Sequence, residues 1–156
     1  MLPRLLRAWL PVAAMCVVIF LFSQDADSAR HSNEVLGWIL TLVGLNTPHY
    51  HHLLNYPFRK FAHVVVYSLL GALSYRGFAL GRPTFSPAAA LRTLLFTALY
   101  AASDEFHQGF TQNRGASVHD VVLDTCAAAL ALFLIWLFLR ITRSRRPMVA
   151  AVSSSD

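Results

Sequence analysis

Apolar residues of this 156-residue chain fall in long runs separated by short polar connections. The first run covers about Leu5 to Phe22, close to the roughly 20 residues that cross a bilayer as a helix. Pro11 inside it is tolerated, because neighbouring helices and side chains in a membrane re-satisfy the freed backbone groups. The second runs roughly from Phe58 to Tyr75, with Pro57 near its first turn. The third opens with Ser86 as N-cap and Pro87 at the first helical position, and runs to about Gln108, where Gly109 ends it. The fourth begins at Ser117 and continues through Leu139. Between the first two, Val35, Leu36, Ile39, Leu40, Leu42 and Val43 make one helical face that is too short to span. With Trp38 as its anchor it reads as an interfacial helix. The pattern predicts an all-α fold: an integral membrane bundle of four transmembrane helices and one short interfacial helix.

Composition agrees. Soluble domains carry about 25% charged residues; here the fraction is 13%, and 56% of residues are hydrophobic, so most side chains belong among hydrocarbon. The net charge of +5 raises the question of nucleic acid. Its placement answers against that partner. Arg4 and Arg7 precede the first run, Arg76, Arg82 and Arg92 surround the middle connection, and Arg140, Arg143, Arg145 and Arg146 follow the last run. This is the Lys/Arg bias that orients a membrane protein, and it puts both termini in the cytoplasm. A cleaved signal peptide is the rival reading of the first run, but Ala26-Asp27-Ser28 makes a poor cleavage site and retention is expected. Cys16 and Cys126 lie in apolar runs and read as small buried apolar side chains.

The segment Ser103 to Thr125 breaks the pattern. It carries Asp104, Glu105, His107, Arg114, His119, Asp120 and Asp124 between and into two apolar runs. Ionisable side chains at bilayer depth are costly, so they are functional candidates by default. On the second span, Lys60, His63, Tyr67, Gly71 and Ser74 recur every three or four residues and share one face. Thr93, Thr97, Tyr100, Asp104 and His107 do so on the third. Ser117, Asp120, Asp124, Ala128 and Ala131 do so on the fourth, its small residues allowing close helix approach. The stripes must face inward, and the charged part of each lies at the outer end. The expectation is a polar cluster at the extracytoplasmic side, joined by Ser23 and Gln24.

At these residues the chain resembles the VanZ-like family of small bacterial membrane proteins. The resemblance rests on Phe22, Ser23 and Gln24 after the first span, and on Lys60, His63 and Tyr67 followed by Leu70 and Gly71. It rests also on Asp104, Glu105 and Gln108, then Arg114, Asp120 and Asp124. It covers about Phe20 to Leu134. Arg59 stands where members often have an acid, and Asp124 where they often have Asn. The resemblance implies a VanZ-like transmembrane domain over 1–142, and composition makes 143–156 a disordered basic and polar cytoplasmic tail. It implies a multi-pass protein of the bacterial inner membrane, acting in the cell envelope. The associated phenotype is antibiotic resistance, as altered teicoplanin susceptibility. It supplies no reaction.

Each candidate has an ordinary reading. Ser117 to Asp120 resembles a capping box, which accounts for Asp120 in part but not for Asp124 one turn deeper. Asp104 and Glu105 sit at a helix C-terminus, where the macrodipole disfavours acids and a cationic partner is needed. His49, His51 and His52 lack a spacing that would preorganise zinc, so no metal site is expected. The residues name no cofactor.

The sharper reading is action on an envelope lipid or lipid-linked intermediate at the outer face. Glu105, His63 and Asp104 are the acid/base candidates. Lys60 and Arg114 would hold a phosphate or carboxylate. Gln108, Tyr67, Ser23, Gln24, Asp120 and Asp124 complete the binding set. The alternatives are a non-catalytic binder of anionic lipid headgroups and a purely structural bundle. The bilayer is the expected partner, with a phospholipid or lipid-linked substrate.

Overall fold

The computed structural model describes residues 2–24, 28–110 and 117–144, without the side chains of 24 and 28–32. The described residues contain five helices: α1 (Leu2–Gln24), α2 (Ser28–Leu42), α3 (Pro48–Ala79), α4 (Pro87–Gln108) and α5 (Val118–Ser144). There is no strand among them. Two helices, α1 and α5, are long and apolar enough to cross a membrane. The other two expected spans are diluted by their own polar residues: Arg59, Lys60 and His63 in α3, and Asp104, Glu105 and His107 in α4.

Local signals set several helix ends as expected. Ser86 Oγ accepts from the Ala89 backbone N–H at 3.3 Å, and Pro87 fills the first helical position, where a missing N–H costs nothing. At the far end the Gly109 N–H donates to the Glu105 carbonyl at 3.0 Å. The amphipathic helix between the first two long elements is α2. It buries Leu36 and Leu40 and leaves Trp38 and Leu42 exposed.

Helix α3 starts earlier than the apolar pattern predicts. It begins at Pro48 with Thr47 as N-cap and is 32 residues long, so His49, Tyr50, His51 and His52 are helical and Pro57 lies inside the helix, not in its first turn. The polar start is held from outside. His51 Nε2 is 2.7 Å from Asn46 Oδ1, and its ring lies over Gly37 of α2, where a Cβ would stand 3.0 Å from the imidazole. Helix α5 also runs past Leu139, to Ser144, so the expected tail boundary at 142/143 falls inside the helix; residues 145–156 lie outside the described set.

Helix α3 touches each of the other four and is the centre of the bundle. One core cluster joins Val12 and Ile19 of α1, Tyr67 and Leu70 of α3, Ala101 of α4 and Ala127 of α5. A second joins Tyr75 and Ala79 with Ala89 and Leu132. Large apolar side chains cover the outside: Leu99, Phe106, Phe138 and Leu21 are all more than half exposed. Apolar patches on that scale are uncommon on soluble monomers, and hydrocarbon is the solvent that suits them.

The polar stripes face inward with two adjustments. On α4 the buried line is Thr93, Thr97, Ala101, Asp104, Glu105 and Gln108. Tyr100 and His107 lie at its edge and turn to α1 instead: Tyr100 OH donates to the Cys16 carbonyl at 2.6 Å, and His107 packs on Phe20. The cysteines are not both buried. Cys16 is half-buried, and Cys126 is exposed on the side of α5 opposite Asp124 and Ala128.

Candidate functional site

The polar residues meet at the end of the bundle where α1 and α4 finish and α5 begins. Three side chains of α3 make the contacts to its neighbours there. Lys60 Nζ pairs with Asp120 Oδ1 on α5. One turn on, His63 Nδ1 lies 3.3 and 3.4 Å from the two oxygens of Asp124, also on α5. One further turn on, Tyr67 OH donates to Asp104 Oδ2 of α4 at 3.4 Å. The spacing of Lys60, His63 and Tyr67 is the helical repeat, so one face of α3 delivers an ammonium, an imidazole and a hydroxyl to three carboxylates. Asp104 also accepts from Gln108 Nε2 at 3.0 Å, an i,i+4 contact within α4.

Glu105 has a separate task. Its Oε2 accepts from the Ser117 backbone N–H at 2.8 Å. A capping box would give that N–H to Asp120. Here Asp120 is held by Lys60, and a carboxylate from α4 caps α5 in its place. The negative group at the start of α5 also suits the helix macrodipole. The capping-box reading of Asp120 is therefore replaced by a cap supplied across the connection.

Two oxygens in this cluster, Glu105 Oε1 and Ser23 Oγ, are buried without a hydrogen-bond partner among the described residues, and Asp124 Oδ1 has only the contact with His63 Nδ1. Asp124 is 1% exposed and Glu105 4%. Buried polar atoms left unpaired are costly, and water or a ligand is the usual remedy.

Beside the cluster lies a cavity of about 320 Å³ between α1, α2, α3 and α4. Val18, Ile19, Phe22, Phe58 and Val66 make its apolar wall; Ser23, His63, Tyr67, Asp104 and Gln108 make its polar end, with Arg59 alongside. It has the form of ligand sites generally, mostly apolar with few convergent polar groups.

Of the expected site residues, Ser23, His63, Tyr67, Asp104 and Gln108 line the cavity, and Lys60, Asp120 and Asp124 stand behind them in ion pairs. Glu105 lies at the α4–α5 connection and does not line it. Arg114 and the side chain of Gln24 lie outside the described residues. Arg59 is the cavity residue that the sequence pattern passed over. Its signal was a second cation beside Lys60 on a face of α3 next to the polar stripe.

The model of one protein family, VanZ/LLP1, matches residues 8–139. The chain belongs to the VanZ/LLP1 family. That match takes in most of α1 through most of α5, and so includes every residue of the cluster and of this cavity's lining. No curated protein and no solved structure gives a significant match to this VanZ/LLP1 member. Family membership and two bilayer-length apolar helices together make it a membrane protein.

Proposed function

We propose that this VanZ/LLP1 member is a multi-pass protein of the bacterial cytoplasmic membrane, with four spans and both termini in the cytoplasm. In this orientation the cluster of Lys60, His63, Asp104, Asp120 and Asp124 opens to the extracytoplasmic side. It acts there on a cell-envelope lipid or lipid-linked intermediate, and teicoplanin susceptibility is the phenotype to examine. The positive-inside distribution of arginines supports the orientation.

The observation that carries the reading is the cavity itself. An apolar trough that ends on His63, Asp104 and Gln108, with Arg59 at its side, suits an amphiphile: acyl chain along Val18, Phe22 and Phe58, anionic headgroup toward the cations. His63 and Asp104 stand at the cavity wall and are the groups placed to exchange a proton with a bound headgroup. Glu105 supports the site by capping the start of α5 from α4, and keeps one oxygen for a proton or water. Lys60, and Arg114 from the connection, would hold phosphate.

A binding role without chemistry is the second reading. It is favoured by the ion pairs, since Lys60 and His63 already have carboxylate partners. Purification in detergent followed by identification of copurifying lipid tests the common part. A defined lipid phosphate held by wild type and lost in Arg59→Ala, Lys60→Ala or Arg114→Ala is expected. The same lipid content in all four proteins would remove the proposal. Loss of phenotype in His63→Ala and Asp104→Asn with lipid still bound would select chemistry over binding.

A further inference from the structure

The opposite end of the bundle carries a second cavity, about 510 Å³, between the start of α1 and the end of α3. Its lining is Arg4, Leu5, Arg7 and Ala8 from α1, and Arg76, Leu80 and Gly81 from α3. We propose that this groove is a binding site for a phosphate-bearing anion, such as the headgroup of an anionic phospholipid, distinct from the polar cluster at the other end.

Charge is the first ground. Three guanidinium groups line one groove, and none has a carboxylate partner among the described residues. The described acids are Glu34, Asp104, Glu105, Asp120 and Asp124, on α2, on the last part of α4 and on the first part of α5, all toward the far end. Like charges gathered without compensation repel, and an anion between them removes the repulsion. Guanidinium is also the side chain whose planar fork matches phosphate oxygens in pairs.

Preorganisation is the second ground. Arg76 donates through Nη2 to the Arg7 backbone carbonyl at 2.8 Å, which fixes one cation at the groove and ties α3 to α1. One turn in from the groove, Trp9 packs edge-on against Phe78 at 4.8 Å and closes over Gly77, where a Cβ would meet the indole at 3.1 Å. The two helices are therefore locked at a set separation beside the cavity. Helix α3 ends in the left-handed region at Leu80 and Gly81, and a Cβ on Gly81 would meet nothing within 4 Å, so the groove stays open on that side.

The walls are the third ground. Leu5, Ala8 and Leu80 are apolar, Leu5 and Leu80 are exposed, and the groove continues onto the apolar outside of the bundle. A headgroup between the arginines would have room for its acyl chains along that surface. Basic pockets between membrane helices near one bilayer face take anionic headgroups by this arrangement.

These arginines also serve the orienting bias along the chain, and a measurement in micelles separates the two roles, because a micelle has no sides. The full chain in detergent is titrated with phosphatidylglycerol and with phosphatidylcholine, and bound lipid is counted by native mass spectrometry. Wild type should retain phosphatidylglycerol and not phosphatidylcholine. Arg4→Gln/Arg7→Gln keeps the Arg7 carbonyl and hence the Arg76 anchor, and should weaken phosphatidylglycerol retention at least about tenfold. Arg140→Gln, an exposed α5 arginine outside both cavities, removes one charge and should leave retention unchanged. Inorganic phosphate is the third probe. Competition at millimolar concentration would show that the phosphate group suffices, and no competition would show that the lipid's chains contribute. Retention of phosphatidylglycerol by Arg4→Gln/Arg7→Gln at the wild-type level, or equal retention of both lipids by wild type, would overturn the proposal.

Discussion

Ala128 of α5 stands where a side chain on Gly71 of α3 would begin: a Cβ built on Gly71 would lie 2.9 Å from both the Cα and the Cβ of Ala128. The two helices meet there backbone to backbone. That close approach lies between the His63–Asp124 contact on one side and the Tyr75 and Leu132 cluster on the other. Van der Waals packing of small residues drives helix association in lipid, where the hydrophobic effect between helices is weak.

Gly71→Ala should therefore destabilise the protein although alanine is the better helix former. Overpacking costs about 1–3 kcal/mol, against a propensity gain of about 1 kcal/mol. Thermal unfolding in detergent should show a lower Tm, and Gly71→Leu should prevent assembly. Ala128→Gly in the Gly71→Ala background removes one of the two clashing atoms and should recover part of the loss. A Tm for Gly71→Ala at or above wild type would contradict the close approach.

The Lys60–Asp120 pair lends itself to a double-mutant cycle. The two side chains are 27% and 18% exposed, between the surface case, worth little, and the buried case, where removing one partner is severe. Lys60→Gln and Asp120→Asn should each cost about 1–3 kcal/mol. The double substitution should cost less than their sum, because neither leaves a charge stranded. Strict additivity would mean that the pair contributes nothing beyond its separate members.

Much of this fold can be read from local signals, and the exceptions share one cause. Ser86, Pro87 and Gly109 mark the ends of α4 because capping chemistry is local. The inward stripes of α3 and α5 follow from helical spacing, and so does the meeting of His63 with Asp124. The early start of α3 is not local: His49 to His52 look like a polar loop, and what keeps His51 helical is its seat on Asn46 and Gly37. Ser117 to Asp120 looks like its own cap, yet Glu105, twelve residues earlier, takes the Ser117 N–H because Lys60 holds Asp120. Arg59 faces a cavity whose walls come from four helices, and no spacing along one of them announces it.

Orientation is open to direct measurement. In a background of Cys16→Ala and Cys126→Ala, Gly109→Cys and Thr84→Cys place single thiols at the two ends of α4. Both positions are outside the polar cluster, and Gly109 has an ordinary helical φ of −61°, so a side chain is tolerated there. With intact cells, a membrane-impermeant maleimide should label the Gly109 variant. It should label the Thr84 variant only after lysis. The reverse pattern would place the polar cluster in the cytoplasm and remove an outer-face role.

Glu105 separates a structural from a chemical requirement more sharply than its neighbours. Its Oε2 caps α5 through Ser117, and its Oε1 is buried without a hydrogen bond. Glutamine keeps an oxygen able to accept the Ser117 N–H and has nearly the same volume, so Glu105→Gln should leave expression and Tm close to wild type. Glu105→Ala loses the cap, which costs about 1 kcal/mol at a helix N-terminus, and also leaves a cavity, so its Tm should fall by several degrees. Phenotype should then be read in both. Loss in Glu105→Gln at full stability would require the carboxylate's charge or proton, whereas loss in Glu105→Ala alone would assign this residue to holding α5 in place.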